Sequence, residues 1–255
     1  MLDSVENALK VIEYLAERDE AGVSDISRAL GVATSTSHRL LSTLSSREFV
    51  VQNPKTRKYM LGIRMFQLGS SVANRLGVRN VALINMEKLA VESGETVNLG
   101  VLEKDQVIYL EKILNDDPIR VELQVGRAVP ANCTAMGKAI LAFQPPGKLE
   151  EILSCINFQS RANNTISDRG SLLSELEKIK NRGYAVDNEE LIKTIKCIAA
   201  PVFDHNDRVV AAISIAGPSF RLTDERISEL VPLVRDAADK TSKALGLLRT
   251  SSINL

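Results

Sequence analysis

The side chains able to do covalent or metal chemistry are few. Three cysteines (Cys133, Cys155, Cys197) and two histidines (His38, His205) are the whole supply of thiol and imidazole in 255 residues. Their number is odd and none are closely spaced, so neither a disulfide framework nor a metal site is expected, and no cofactor is implied. A Cys197–His205 nucleophile system would need the imidazole within hydrogen-bond reach of the thiol. His205 instead falls at the tip of an expected strand hairpin, eight residues further along the chain. No G-x-S-x-G, P-loop or H-E-x-x-H motif is present. The residue supply therefore argues against an enzyme and towards binding.

Two stretches supply binding chemistry. In "RVVAAISIAGP" one strand face carries Val209, Ala211, Ile213 and Ile215, and the other Val210, Ala212, Ser214 and Ala216. Small side chains on a covered sheet face leave volume for a ligand, and Ser214 offers one directional polar group in it. Close packing of a helix on that face is the alternative. "NCTAMGK" reads as a helix start with Thr134 near its cap, and the amides of Ala135, Met136 and Gly137 there form a natural seat for a carboxylate. Asp187 and Cys197 flank "NEELIKTIK" and are placed to converge beside it.

A third stretch has the chemistry of phosphate recognition. "VSDISRALGVATSTSHRLLSTLSS" reads as two helices joined by a Gly31-Val32-Ala33 turn, the first with Ser24 as N-cap and with Ile26, Ala29 and Leu30 facing inward. The second helix turns Leu40, Leu41 and Leu44 inward and Ser35, Thr36 and Arg39 outward near its N-terminal end. Short hydroxyls allow close approach to a sugar-phosphate backbone, the helix N-terminus favours phosphate, and an Arg reaches a base edge. "FVVQNPKTRKYMLG" follows as two strand-like runs, Phe49 to Gln52 and Lys58 to Leu61, around a basic turn. A basic hairpin after a recognition helix is a wing. Double-stranded DNA is the expected partner, with Ser24, Ser35, Thr36, Arg39, Lys55, Arg57 and Lys58 as the candidate contacts.

Charge supports this. The chain as a whole is neutral, with 32 basic and 32 acidic residues, but Val23 to Arg64 holds seven basic residues against two acidic. A basic module in a neutral chain is the electrostatic footprint of nucleic-acid binding.

The elements that position these residues form two parts. Residues 1–61 read as the winged helix-turn-helix, opened by an amphipathic helix bearing Val5, Ala8, Leu9, Ile12, Leu15 and Ala16. Residues 62–77 read as a linker helix with Met65, Leu68, Val72 and Leu76 on one face, which pairs two chains or docks on its own domain. Residues 78–255 read as α+β, an antiparallel sheet flanked by helices. Its expected parts include a hairpin around Glu103-Lys104-Asp105, a strand in "IRVEL", and a long last helix with Ile227, Leu230, Val231, Val234, Ala238, Thr241, Leu245 and Leu248 inward. The N-terminus lacks a signal-peptide pattern and no apolar run is long enough to span a membrane, so a cytoplasmic protein without membrane association is expected.

Together these stretches resemble the IclR (isocitrate lyase regulator) family of bacterial transcription factors. The resemblance rests on "VSDISRALGVATSTSHRLLSTLSSREFV", "PANCTAMGKAILA" and "RGYAVDNEELIKTIKCIAAPVFDHNDRVVAAISIAGP". It implies a GAF-like effector domain, a homodimer formed through the DNA-binding half and often a tetramer through the effector half. It also implies a small organic acid bound at Asp187, Cys197, Ser214 and the Ala135-Met136 loop, with apolar lining from Val121 and Val129. Ala216 stands where many members carry a second Ser, which argues against glyoxylate- or pyruvate-like effectors and leaves room for a bulkier acid. The other function weighed on this domain is a small-molecule enzyme or a thiol-based redox sensor using Cys133 or Cys197.

Overall fold

The computed structural model of the chain describes residues 3–75, 77–121 and 124–247, with 70–75 by backbone alone. It divides into two compact units, 1–75 and 76–255.

In the first unit, helix α1 (Asp3–Ala16), α2 (Val23–Leu30) and α3 (Thr34–Ser46) precede a two-stranded antiparallel sheet of β1 (Val50–Gln52) and β2 (Tyr59–Leu61), and α4 (Ile63–Arg75) follows. Gly31 closes α2 at φ 67°, a left-handed conformation that a side chain disfavours, and its amide bonds back to the helix end. Val11, Leu15, Ile26, Leu40, Leu41, Leu44 and Val50 form the core.

Several expected details change here. The N-cap of α2 is Gly22, not Ser24, and the Asp25 carboxylate accepts from the Gly22 amide at 3.3 Å; Ser24 lies exposed in the first turn. Ala29 is exposed rather than inward. On α1 the core side is set by Val11 and Leu15, leaving Val5 and Leu9 exposed at 54% and 56%. The apolar stripe of α1 is wider than the core beneath it, so one edge stays outside.

The second unit begins with α5 (Val78–Ser93), the hairpin β3 (Thr96–Glu103) and β4 (Gln106–Ile113), and β5 (Ala128–Pro130). A single 3₁₀ turn, Ala131–Cys133, leads into α6 (Ala135–Leu141), and α7 (Pro146–Cys155) and α8 (Arg169–Arg182) follow. The chain continues through β6 (Ala185–Asn188), β7 (Ile195–Phe203), β8 (Val209–Pro218) and α9 (Asp224–Ala244). The strands form one antiparallel sheet in the order β5-β4-β3-β8-β7-β6. Met86, Leu89, Leu230 and Val234 of α5 and α9 pack on one face, and Met136, Ile140, Leu172 and Leu176 of α6 and α8 on the other. Pro201 sits in β7 beyond the last β6 pairing at Ala199, so its missing amide costs that ladder nothing.

In the alternating run "IRVEL" the described residues, Ile119 to Val121, are irregular rather than strand, and Glu122 and Leu123 lie outside the described residues. Leu76 and Leu248 lie outside them as well, as does the side chain of Val72.

Candidate functional site

In the first unit the N-terminal turn of α3 is open. Its N-cap is Ala33, which has no side chain to cap with, so the turn carries Thr34, Ser35 and Thr36 without a side-chain cap bond. Ser35 and Arg39 are exposed and Thr36 is half-buried, as a groove-entering helix requires. The wing turn is built by Asn53, whose side-chain oxygen accepts from the Lys55 amide at 2.9 Å, and by Arg57 at φ 60°. Lys55 and Arg57 are exposed. Lys58 lies 3.7 Å from the Glu20 carboxylate, which also accepts from Thr56 at 2.9 Å and from Asn53 at 3.1 Å. Glu20 thus fastens the wing and offsets the charge of Lys58, leaving Lys55 and Arg57 as its free-standing cations.

In the second unit the sheet register gathers the other candidates. Asp187 pairs with Cys197, and Cys197 pairs with Ala216, so three adjacent strands place these residues in one row. Ser214 points to the same face two residues along. The start of α6 covers this row, and the cavity between them is lined by Tyr109, Val121, Thr134, Ala135, Met136, Asp187, Leu191, Ile192, Ile195, Cys197, Ser214 and Ala216. Its free space is about 20 Å³, room for a single water-sized body. Both readings of the small strand face hold: Ala212 packs in the core with α6, and Ser214 and Ala216 face the cavity.

Arg221 ties down the loop that precedes Val121. Its guanidinium donates to both Glu95 oxygens at 2.6 and 2.8 Å, lies 3.2 Å from Asp117 and donates to the Ile119 carbonyl at 2.9 Å. The loop so fixed brings Val121 to the lining. A bidentate guanidinium–carboxylate pair is a strong positioning device.

Two expected residues are placed elsewhere. The Gly137 amide donates to Thr134 Oγ1 at 3.2 Å, the N-cap bond of α6, and so is not presented to a ligand. Gly137 serves close approach, since a Cβ there would fall 2.2 Å from the Ala131 carbonyl oxygen. Val129 pairs with Val107 and is buried in the core behind the cavity. Conversely, the sequence reading missed Tyr109, Leu191, Ile192, Ile195, and the buried Lys138 and Glu190 close to Asp187. A lone Lys inside "CTAMGKAILAF" was the available signal, because a buried ammonium demands a partner.

That partner is Glu190. The Lys138 ammonium donates to the Glu190 carboxylate and, at 2.7 Å, to the Val186 carbonyl. Asp187 accepts from the Glu190 amide at 2.7 Å. Burial pushes the Asp187 carboxyl up to about 7, with the Glu190 charge adding and the Glu190 amide and Lys138 opposing. Burial and then Asp187 also push the thiols up, Cys133 to about 11 and Cys197 well above the usual range. Both stay protonated at neutral pH, which removes the thiolate that a redox sensor would use.

An open recognition helix with a basic wing in one unit, and a small, mostly apolar cavity with a few polar groups between sheet and helix in the other, define a ligand-sensing DNA-binding regulator. Residues 4–54 match the IclR helix-turn-helix domain, and 70–243 match the C-terminal domain described as "bacterial transcriptional regulator IclR". The chain belongs to the IclR family of bacterial transcriptional regulators. It is 33% identical over 247 residues to the HTH-type transcriptional regulator KdgR of Escherichia coli K12, covering 96% of this chain and 94% of that one. The crystal structure of Thermotoga maritima IclR superposes with TM-score 0.81 at 31% identity, covering 96% of this chain and all of that one. An IclR homologue from Microbacterium hydrocarbonoxydans, solved in complex with 4-hydroxybenzoate, superposes with TM-score 0.83 at 26% identity over 95% of this chain and 98% of its own. The relatives named are regulators, and among the described residues no helix is long and apolar enough to cross a membrane.

Proposed function

We propose that this regulator binds an inverted-repeat operator as a homodimer and changes its DNA affinity when a small organic acid enters and widens the cavity at Asp187, Cys197 and Ser214, which as it stands has only about 20 Å³ of free space. Ser35, Thr36, Arg39, Lys55 and Arg57 carry the DNA contacts in this reading. The α6 amides of Ala135 and Met136, together with Ser214, receive the carboxylate. The exposed apolar side chains of α4, Ile63, Phe66 and Leu68, supply the face that pairs two chains, and assembly to a tetramer runs through the second unit.

The observation that carries the proposal is the register row of Asp187, Cys197 and Ala216 beside Ser214, closed over by α6. A relative with this fold holding an aromatic hydroxy acid is consistent with it. The test is a thermal-shift screen of organic and aromatic acids on the full chain, because a ligand that binds only the folded state raises its stability. A hit that loses its shift in Ser214→Val supports the cavity. Hits that are all indifferent to Ser214→Val place the ligand elsewhere.

A further inference from the structure

Any occupant of the cavity must first make room, since only about 20 Å³ is free. The floor resists: Ser214 and Ala216 sit on β8 where that strand is laddered to β3 and β7 alike. The elements that can yield are those lying over it, and one of them, α6, also borders a second and much larger space.

That space comes from a split in the sheet. The β3–β8 ladder ends at Gly100 and Ala212. Beyond it β3 runs on with β4 to Glu103 and β8 runs with β7 from Val209, without pairing across the split. A groove of about 690 Å³ lies there, bordered by Val101, Leu102, Val209 and Val210 of the parted strands, by Ile140 of α6 and by Val78 of α5. Ile140 belongs to the core on one face of the sheet and Val78 to the core on the other, so the groove joins the two faces. Val78 opens α5 directly after Gly77, which stands at φ 63°, and α4 ends at Arg75.

The helix itself is held so that it can tip. Its residues, Ala135 to Leu141, are all buried, so in close-packed surroundings it moves as a unit and only towards free volume. Its middle is pinned twice. Gly137 lies against the Ala131 backbone, where a Cβ would fall 2.2 Å from the carbonyl oxygen, and the Lys138 ammonium is held by Glu190 and the Val186 carbonyl. Ala135 and Met136 of the first turn line the cavity, and Ile140, one turn further on, borders the groove. The Met136 thioether also rests where the strands part, 3.1 Å from the position of a Gly100 Cβ.

We propose that α6 is a rocker: an occupant of the cavity lifts its first turn, the helix pivots about Gly137 and Lys138, and Ile140 is driven into the groove whose wall includes Val78 at the start of α5. This rests on the reading of the cavity as the effector site, and it supplies the route by which occupancy reaches the segment that joins the two units.

The test replaces the effector by bulk. Ala216→Leu fills the cavity from the sheet side and should tip α6 permanently, and Ile140→Ala removes the end that presses. These variants, their double combination and wild type, all as the full chain, are compared by hydrogen exchange in the first two turns of α5 and by affinity for an operator selected from a random library. Ala216→Leu should speed that exchange about tenfold and shift operator affinity several-fold, whereas the double variant should return to within about twofold of Ile140→Ala alone. If Ala216→Leu does not melt cooperatively, the smaller Ala216→Val is read in its place. An effect that persists undiminished in the double variant, or no change at α5, overturns the rocker. The effector reading is judged separately, by the thermal-shift screen with Ser214→Val, so the two can fail independently.

Discussion

Lys138, on the helix that closes the cavity, buries its ammonium against the Glu190 carboxylate, and the neighbouring Asp187 must share that single cation. Burial first, and then the Glu190 charge, raise the Asp187 carboxyl to about 7, while the single ammonium pairs with Glu190.

The stability of the protein should therefore carry a pH signature from Asp187. Its carboxyl titrates near 3.8 when unfolded and at about 7 when folded, so between those values the folded state binds the extra proton. By linkage, stability is fully present below about 4, falls by up to about 1.4 kcal/mol per pH unit as pH rises, and levels off above about 7. Chemical denaturation of wild type and Asp187→Asn across this range checks it. A parallel pH dependence in the two proteins would contradict the assignment. An anionic effector adds to the same preference, so its affinity should weaken as pH rises through 7, with proton uptake on binding.

Removing Lys138 should be costly for a specific reason. Lys138→Met leaves the Glu190 carboxylate buried without its cation, at a cost of about 3–5 kcal/mol. Adding Glu190→Gln should recover a substantial part of it, since the orphaned charge is then gone. Equal midpoints for Lys138→Met and the double variant in urea melts would show that packing, not charge, explains the loss.

On the DNA side, the wing cations should differ. Arg57→Gly removes the charge while suiting the positive φ of that residue, and should lower the salt slope of operator binding by about one unit on any sequence. Lys58→Ala, already offset by Glu20, should change the slope less. Arg39→Ala should instead relax sequence preference, by about 1–3 kcal/mol at the base it reads. Binding to a randomised operator library at several salt concentrations separates these outcomes; wild-type discrimination in Arg39→Ala would remove its base-reading role.

The assembly face can be tested at Leu68, which is 41% exposed in the single chain. Leu68→Asp adds little strain to one chain but buries an unpaired charge between two, so sedimentation should show monomers or a loss of one level of assembly. An undisturbed assembly would place the pairing face elsewhere.

Much of this molecule was legible in its residues, and the failures have physical reasons. The α3 helix and the wing stood out because leucine spacing, a left-handed Gly31 and a basic turn agree on them. Asp187, Cys197, Ser214 and Ala216 were found as a set, although the row that joins them depends on strand register, which local pattern does not supply. β6 is too short, at four residues, to show alternation, and Ile119 to Val121 alternate in "IRVEL" yet are irregular. Gly137 looked like a ligand-binding amide and is a close-packing contact with Ala131, a difference visible only in three dimensions. Tyr109 was not singled out within its hairpin, because nothing local distinguishes a phenol in a core from one facing a cavity.

The central claim is that acid in the cavity controls the DNA-binding unit. The most direct measurement is operator affinity of the full chain, by fluorescence anisotropy at fixed salt and pH, with and without an acid identified by the thermal-shift screen, in wild type and Ser214→Val. The account predicts that the acid shifts wild-type affinity several-fold, that the same concentration leaves Ser214→Val unmoved, and that the two proteins bind the operator equally well without acid. An equal response to the acid in both proteins would contradict it.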